Sequence, residues 1–293
     1  MQIPNTEPGA RLDSFLATAL QQPRDTIQTK LKEGCFLINN KPAKASYRLR
    51  ENDLITQVAV IHEAQAPAPI THSLKGLSFL YEDKDILVIN KPVGWVVHPG
   101  EQTQGDTLVE RLTAFGFILA PSQEPGREGL VHRLDRFTEG IMVLAKTAEA
   151  QAHLSQQFQD KTILKKYAAM VKGNVFHDHS KLDYPIARHP SQRTKFTVVP
   201  TSFPGIKRDA VSFLQVLKRY QTKTLVEVIP QTGRTHQIRV HLNYIGHPVL
   251  GDQLYYNHKG EGQKLQAYYL AFTHPKTLDR MAFQLPLSKR LFE

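Results

Sequence analysis

The stretch HEAQAPAPITHS, residues 62 to 73, alternates alanine with Pro67 and Pro69 and has no apolar period. Such a segment reads as an extended, semi-rigid spacer. It forces a chain of 293 residues to build separate cores on its two sides. The expected division is a small unit over 1–62, a linker over 63–75 and a larger unit over 76–293.

Before the spacer, RLDSFLATAL sets Leu12, Phe15, Leu16 and Ala19 at helical spacing, and Pro23 ends the pattern, so a helix is expected over 10–21. RDTIQTKLKEG places Ile27 and Leu31 one turn apart on a polar, basic helix that Gly34 terminates. FLINNKPA gives a short strand with a turn at Asn39-Asn40, and LITQVAV gives another strand. Two helices and a hairpin make a unit that is small but foldable. Arg24, Lys30, Lys32, Lys41 and Lys44 can form one face for phosphates, with a merely solvated basic surface as the other reading. Cys35 is the only cysteine, which excludes an internal disulfide and a cysteine zinc cluster, and its flanks suggest a small buried residue.

After the spacer the texture changes. SFLYEDKDILVIN splits into two strands around Asp83-Lys84-Asp85, while DTLVERLTAF and TAEAQAHLSQQF read as helices, the second capped by Thr147. ILKKYAAMV and TLVEVIP read as strands. In HQIRVHLNYIG strict alternation competes with Ile238, Leu242 and Ile245 at helical spacing; the stop signals Gly246 and Pro248 decide for a helix. Strands and helices in irregular order predict an α+β fold with a mixed or antiparallel sheet, preceded by the small α+β unit.

Lysine and arginine exceed the acids by 37 − 27 = 10, which favours a polyanionic partner over a neutral metabolite. No apolar run is long enough to cross a bilayer, and the opening MQIPNTEPGARLD lacks the charged-then-apolar order of a signal peptide. A cytoplasmic monomer without membrane association is expected. The usual nucleotide, zinc and serine-hydrolase signatures are absent. Scattered histidines such as His98, His132, His236 and His241 are read as hydrogen-bonded structural groups, and no metal is expected.

LVHRLDRFTEG, residues 130 to 140, brackets Asp135 with Arg133 and Arg136. One reading is a surface ion-pair cluster; the other is an ionised aspartate held ready as a nucleophile. VINKPVGWVVHPG, LVHRLDRFTEGIMVLAKT, KKYAAMVKG, QTGRTHQIRVHLNYIGHPVLGDQLY and LQAYYLAFTHPKT follow in that order. Together they resemble the RluA-type pseudouridine synthases, above all those that carry an S-four RNA-binding domain and modify large-subunit ribosomal RNA. The small unit is similar to that domain at Arg11-Leu12-Asp13, at Lys30 to Gly34 and at Ile38-Asn39-Asn40-Lys41-Pro42.

The resemblance implies an enzyme that isomerises uridine to pseudouridine in structured RNA. It implies Asp135 as nucleophile, Tyr167 packed against the base and available for proton transfer, Arg234 paired with Asp135, and Leu270 lining the pocket. Arg133 takes the space left by the flipped base, and Arg136, Lys30, Lys32 and Lys41 contact RNA. No cofactor is implied, because one glycosidic bond is exchanged for another without redox change. Phe137 and Glu139 depart from the family pattern, which has an acid and a serine there. The competing readings are a non-catalytic RNA-binding or ribosome-assembly factor, a synthase acting on transfer RNA and, more weakly, a metal-dependent nuclease.

Overall fold

The structure, a computed structural model, describes residues 2–3, 8–20, 22–32, 36–38, 41–51, 53, 55–57, 74, 76–100, 106–256 and 262–293. The chain divides into two compact units, Met1–His62 and Glu63–Glu293. Cys35, the helix stop at Gly34, the Asn39-Asn40 turn and the spacer over 62–73 lie outside the described residues, as does the side chain of Lys41.

In the first unit α1 (Leu12–Ala19) and α2 (Arg24–Lys32) accompany β1 (Gln2–Ile3), β2 (Phe36–Ile38), β3 (Lys41–Pro42) and β4 (Ile55–Gln57). The strands are antiparallel in the order β1-β4-β2-β3. Leu12, Leu16, Ile27, Phe36 and Ile55 form the core at full burial, each contributing about 1.5–3 kcal/mol by removal from water. Asp13 is also fully buried; it accepts from Arg11, Arg24, Gln28 and the Ser14 N–H. Arg24 is therefore tied to an acid within the unit. Lys30 donates to Gln22 at 2.7 Å, while Lys32 and Lys44 are exposed.

The larger unit is built on nine strands: β5 (Ser78–Glu82), β6 (Ile86–Lys91), β7 (Glu139–Ala145), β8 (Leu164–Lys172), β9 (His179–Asp183), β13 (Val211–Arg219), β14 (Lys223–Pro230), β15 (Leu265–Thr273) and β16 (Arg280–Gln284). Their order is β5-β6-β7-β15-β8-β14-β13-β9, with β16 against β15. Among the described residues only β7 and β15 pair in parallel. A small sheet of β10 (Ile186–Arg188), β11 (Phe196–Val198) and β12 (Lys207–Arg208) stands apart.

Alternation along β6 and β7 sends side chains to two faces. Leu87, Ile89, Met142 and Leu144 meet Leu108 and Leu112 of α3 (Leu108–Ala114). Ile86, Val88, Ile141 and Val143 meet Ala150 and Leu154 of α4 (Ala148–Gln159), whose first turn is capped by Thr147. Ile238 and Leu242 of α5 (Gln237–Tyr244) pack on Ala169, Val171, Val226 and Val228 of β8 and β14.

The crossing of β7 and β15 fixes the place of the HRLD loop. Gly140, paired with Ala267, has φ 130°, and a Cβ at that position would run into the Ala267 carbonyl oxygen. Close approach of the two backbones therefore requires glycine. Gly140→Ala is expected to lower the unfolding free energy by more than about 2 kcal/mol, read from the shift of the urea midpoint at constant slope.

Candidate active site

Asp135 lies in the turn that precedes β7, where its carbonyl accepts the Thr138 N–H at 3.1 Å. Its side chain is 20 % exposed, and Oδ2 accepts from Nη1 of Arg239 at 2.8 Å. The same guanidinium grips Asp252 with Nε at 2.6 Å and Nη2 at 2.9 Å, a forked geometry that fixes its plane. Asp252 is buried and accepts further from the Leu254 and Tyr255 N–H groups. Oδ1 of Asp135 accepts no hydrogen bond from any described residue, so one carboxylate oxygen is held and the other is free.

Burial raises the pKa of Asp135, but His236, Arg239 and Arg133 lower it, and the sum lies below the ordinary carboxylate value. His236 sits with Nε2 3.9 Å from Oδ2. Burial holds the His236 imidazole below its ordinary value, so near neutrality the standing cation is Arg239. Tyr255 accepts the Phe196 N–H at 2.9 Å and can donate its hydroxyl proton to Nδ1 of His236, also 2.9 Å away. His236 has left-handed backbone, φ 56°, at the entry to α5, a strained conformation that turns its ring between Tyr255 and Asp135.

The sequence reading paired Asp135 with Arg234, and the structure corrects this. Arg234 lies in the loop before α5, its Nε donating to the Asp209 carbonyl at 3.0 Å and its N–H to Gln237 at 3.1 Å. Arg239 is on the inward side of α5, only 6 % exposed. The sequence marks it only as an arginine in the run QIRVHL; the structure buries that helix at every position from Gln237 to Leu242, and an arginine so buried needs an acid partner. Asp252 and Lys91 were also missed.

Lys91 is fully buried and its Nζ donates to the carbonyls of Pro92 at 2.9 Å, Trp95 at 3.0 Å and Arg136 at 3.2 Å. Burial, partly offset by Asp135 and Glu139, pushes it down to about 7. A neutral amine has only two hydrogens to give, so the three carbonyls favour the ammonium. Arg136, exposed, returns a hydrogen bond from Nε to the Gly94 carbonyl at 3.1 Å and lies over Phe137. Arg133, also exposed, donates to Nε2 of His98 at 2.8 Å, which leaves the His98 proton on Nδ1 against the Pro99 carbonyl. Thr138 is buried and accepts from Gln263 at 3.0 Å, and Glu139 pairs with Arg290 at 3.5 Å. The two departures from the family pattern thus have local partners.

Two lobes of a cleft, of about 580 and 760 Å³, share Asp135, Arg133, His236 and Arg239 on their common wall. Tyr167 lines the first lobe, its phenol pushed above the ordinary value by burial and then by Asp135. Leu270 does not join it. In β15 it is Ala267 that comes opposite Tyr167, while Leu270 comes opposite Lys165 and packs in the core with Ile86, Val143 and Leu154. The aliphatic side chain of β15 that lines the cleft is Leu265.

Among the described residues, Asp83, Asp85 and His274 also come together. Nδ1 of His274 accepts the Lys276 and Thr277 N–H groups and Nε2 donates to Asp83 at 2.8 Å, so the ring has no lone pair left for a metal.

Residues 85–244 match the family described as RNA pseudouridylate synthase, and residues 10–55 match the S4 domain. The chain belongs to the RNA pseudouridine synthase family. A Bacillus subtilis protein named as an uncharacterized RNA pseudouridine synthase is 38% identical, over 97% of this chain and 92% of that one. The ribosomal large subunit pseudouridine synthase D of Neisseria meningitidis serogroup B is 36% identical, over 100% and 79%. The solved structure of human RNA pseudouridylate synthase domain containing 4 superposes with TM-score 0.56 at 26% identity, over 73% of this chain and 90% of that one. This synthase is therefore an isomerase with an RNA substrate, on the α+β fold with an N-terminal S4 unit.

Replacing Arg239 by Gln is expected to raise the Asp135 pKa of the synthase, because a neighbouring cation and its charged hydrogen bond are lost while burial remains and only His236 and Arg133 still oppose it. Carbon-13 NMR titration of the aspartate carboxyls measures this. An Asp135 pKa that is the same in that variant as in wild type means that Arg239 does not hold its charge.

Proposed function

We propose that the synthase isomerises specific uridines of large-subunit ribosomal RNA, with Asp135 as the attacking carboxylate. The observation that carries this reading is the carboxylate held ionised by Arg239 at the meeting of the two lobes, one oxygen free. The first lobe is lined by Arg133, Lys161, Lys165, Arg234 and Arg239, with Asp135 as the one acid among the described lining residues. A wall of that charge suits a polyanion and leaves a single nucleophile facing it.

The reaction breaks the N1–C1′ bond of uridine, turns the base, forms C1′–C5 and moves one proton from C5 to N1. It consumes no oxidant, reductant or energy source and needs no cofactor. Asp135 Oδ1 supplies the attack, on the sugar or on the ring, and Arg239 keeps the carboxylate charged when water leaves the cleft. Tyr167 keeps its proton at neutral pH and stands as the base-packing wall and proton donor. Arg133, exposed at the rim of both lobes, enters the duplex where the base is extruded, and Arg136 holds phosphate.

The large-subunit substrate rests on the name of the Neisseria relative, which matches over the whole of this chain. Lys32 and Lys44 on the S4 unit, with Lys30 and Lys41, give the docking charge for structured RNA. No helix among the described residues is long and apolar enough to cross a membrane, which accords with action on ribosomal RNA in the cytoplasm. One chain supplies every group named, which supports action as a monomer.

Incubation with large-subunit ribosomal RNA in excess EDTA, followed by pseudouridine mapping, tests the reading. Wild type should modify discrete uridines. Asp135→Asn should bind RNA within about threefold of wild type, since affinity comes from phosphate contacts elsewhere, and give less than about a hundredth of the product. Binding without product in wild type points to an assembly factor, modification of transfer RNA alone moves the substrate, and EDTA-sensitive cleavage indicates a nuclease.

A further inference from the structure

The first lobe runs past Tyr167 to a second group of side chains that the isomerisation does not use. Lys165 and Tyr167 are two residues apart on β8 and both line the lobe, about 6.7 Å apart along the strand. Lys166 between them turns away and meets Glu227 at 3.4 Å. Lys165 has no such partner. It makes no hydrogen bond or ion pair with any other described residue, and its Nζ stands 5.4 Å from the ring centre of Phe158. Burial lowers its pKa and no acid is placed to offset that.

His132 stacks on the same Phe158 ring at 4.8 Å. Its Nε2 accepts the Val143 N–H at 3.1 Å, so the neutral ring carries its proton on Nδ1, a buried atom without a partner among the described residues. Lys165 lowers the pKa of this ring, after burial, to about 3, so His132 stays neutral and its Nδ1–H stays a donor. Across the lobe, a Cβ at Gly233 would lie 3.9 Å from Nζ of Lys165, which brings the loop bearing Arg234 against the lysine. Lys165 and the loop bearing Arg234 thus meet at one part of the lobe, and neither cation has an acid partner among the described residues. A buried ammonium is costly unless something negative meets it.

We propose that Lys165, with Arg234 on the facing loop, forms a subsite for a backbone phosphate of the RNA, about one nucleotide from the uridine at Asp135. The subsite rests on the reading of the cleft as an RNA site given above. A phosphodiester matches it because its oxygens accept in several directions, and a neutral base carbonyl would leave the ammonium uncompensated. The lysine acts as a point charge, while Arg234, held by its Nε at the Asp209 carbonyl, offers its outer nitrogens. In this arrangement Lys165 does not touch the reacting atoms. It sets where the strand enters the cleft, and so which nucleotide comes opposite Asp135.

The test uses the full chain and two probes, uridine 3′,5′-bisphosphate and uridine, with wild type, Lys165→Met and Lys165→Arg compared by calorimetry. The methionine keeps the stem and removes the charge. Wild type should bind the bisphosphate more tightly than uridine; Lys165→Met should weaken the bisphosphate by about tenfold or more, leave uridine unchanged and not lower the melting temperature. Lys165→Arg should recover part of the loss. With RNA, the log–log salt slope of Lys165→Met should be smaller by about 0.7–0.9. Equal bisphosphate affinity in wild type and Lys165→Met overturns the proposal, as does an equal loss for both probes, or bisphosphate binding by wild type no better than that of uridine. Pseudouridine formation by wild type with bisphosphate binding indifferent to Lys165 removes the subsite alone. Dependence on Lys165 with no pseudouridine formed in any RNA removes the functional reading and keeps the anion site.

Discussion

Arg239 lies between two carboxylates, bidentate on Asp252 and single on Asp135, and the geometry of the cleft follows from how it is held. One guanidinium cannot neutralise two acids, so the trio retains negative charge, and that charge resides at Asp135, the more exposed of the two. Breaking such a buried pair by removing one partner costs about 3–5 kcal/mol, which explains the surroundings of Asp252: two backbone N–H groups and a fully engaged guanidinium leave it no freedom. Asp252 orients, Arg239 transmits, and Asp135 keeps a free oxygen toward the lobes.

This clamp depends on the sheet beneath it. α5 can bury Arg239 only because Ile238 and Leu242 on the same helix find Ala169, Val171, Val226 and Val228 of β8 and β14. Asp135 reaches the clamp only because β7 runs close beside β15 at Gly140, and because Lys91 gathers three carbonyls of the adjoining loops onto one ammonium. The motifs that are separate in sequence are joined by these two contacts, one steric and one electrostatic.

Much of this was legible beforehand. The strands and the capped helices followed from apolar period and Thr147, and α5 was separated from a strand by Gly246 and Pro248 although its all-round burial gives no clean amphipathic stripe. Asp135 stood out through its flanking arginines. The choice between Arg234 and Arg239 was not legible in the same way, because both lie in GRTHQIR and the answer turns on where the helix begins. The left-handed backbone at His236 puts Arg234 in the loop and Arg239 on the inner side of the first turn, and nothing in local propensity marks a histidine for that conformation. Leu270 failed for a related reason: Leu265 and Leu270 are both buried leucines of one strand, and only packing decides that the first lines the lobe while the second joins Ile86, Val143 and Leu154.

Single-turnover pseudouridine formation at saturating RNA, compared between Arg239→Met and Arg234→Met on preparations of matched folded fraction, bears most directly on the clamp. Loss of the cation that holds Asp135 should slow Arg239→Met by at least about a hundredfold, while Arg234→Met, which leaves the Asp135–Arg239–Asp252 trio intact, should stay within about tenfold of wild type once RNA is saturating. A larger loss in Arg234→Met than in Arg239→Met would contradict the assignment of Arg239 as the partner that keeps Asp135 charged.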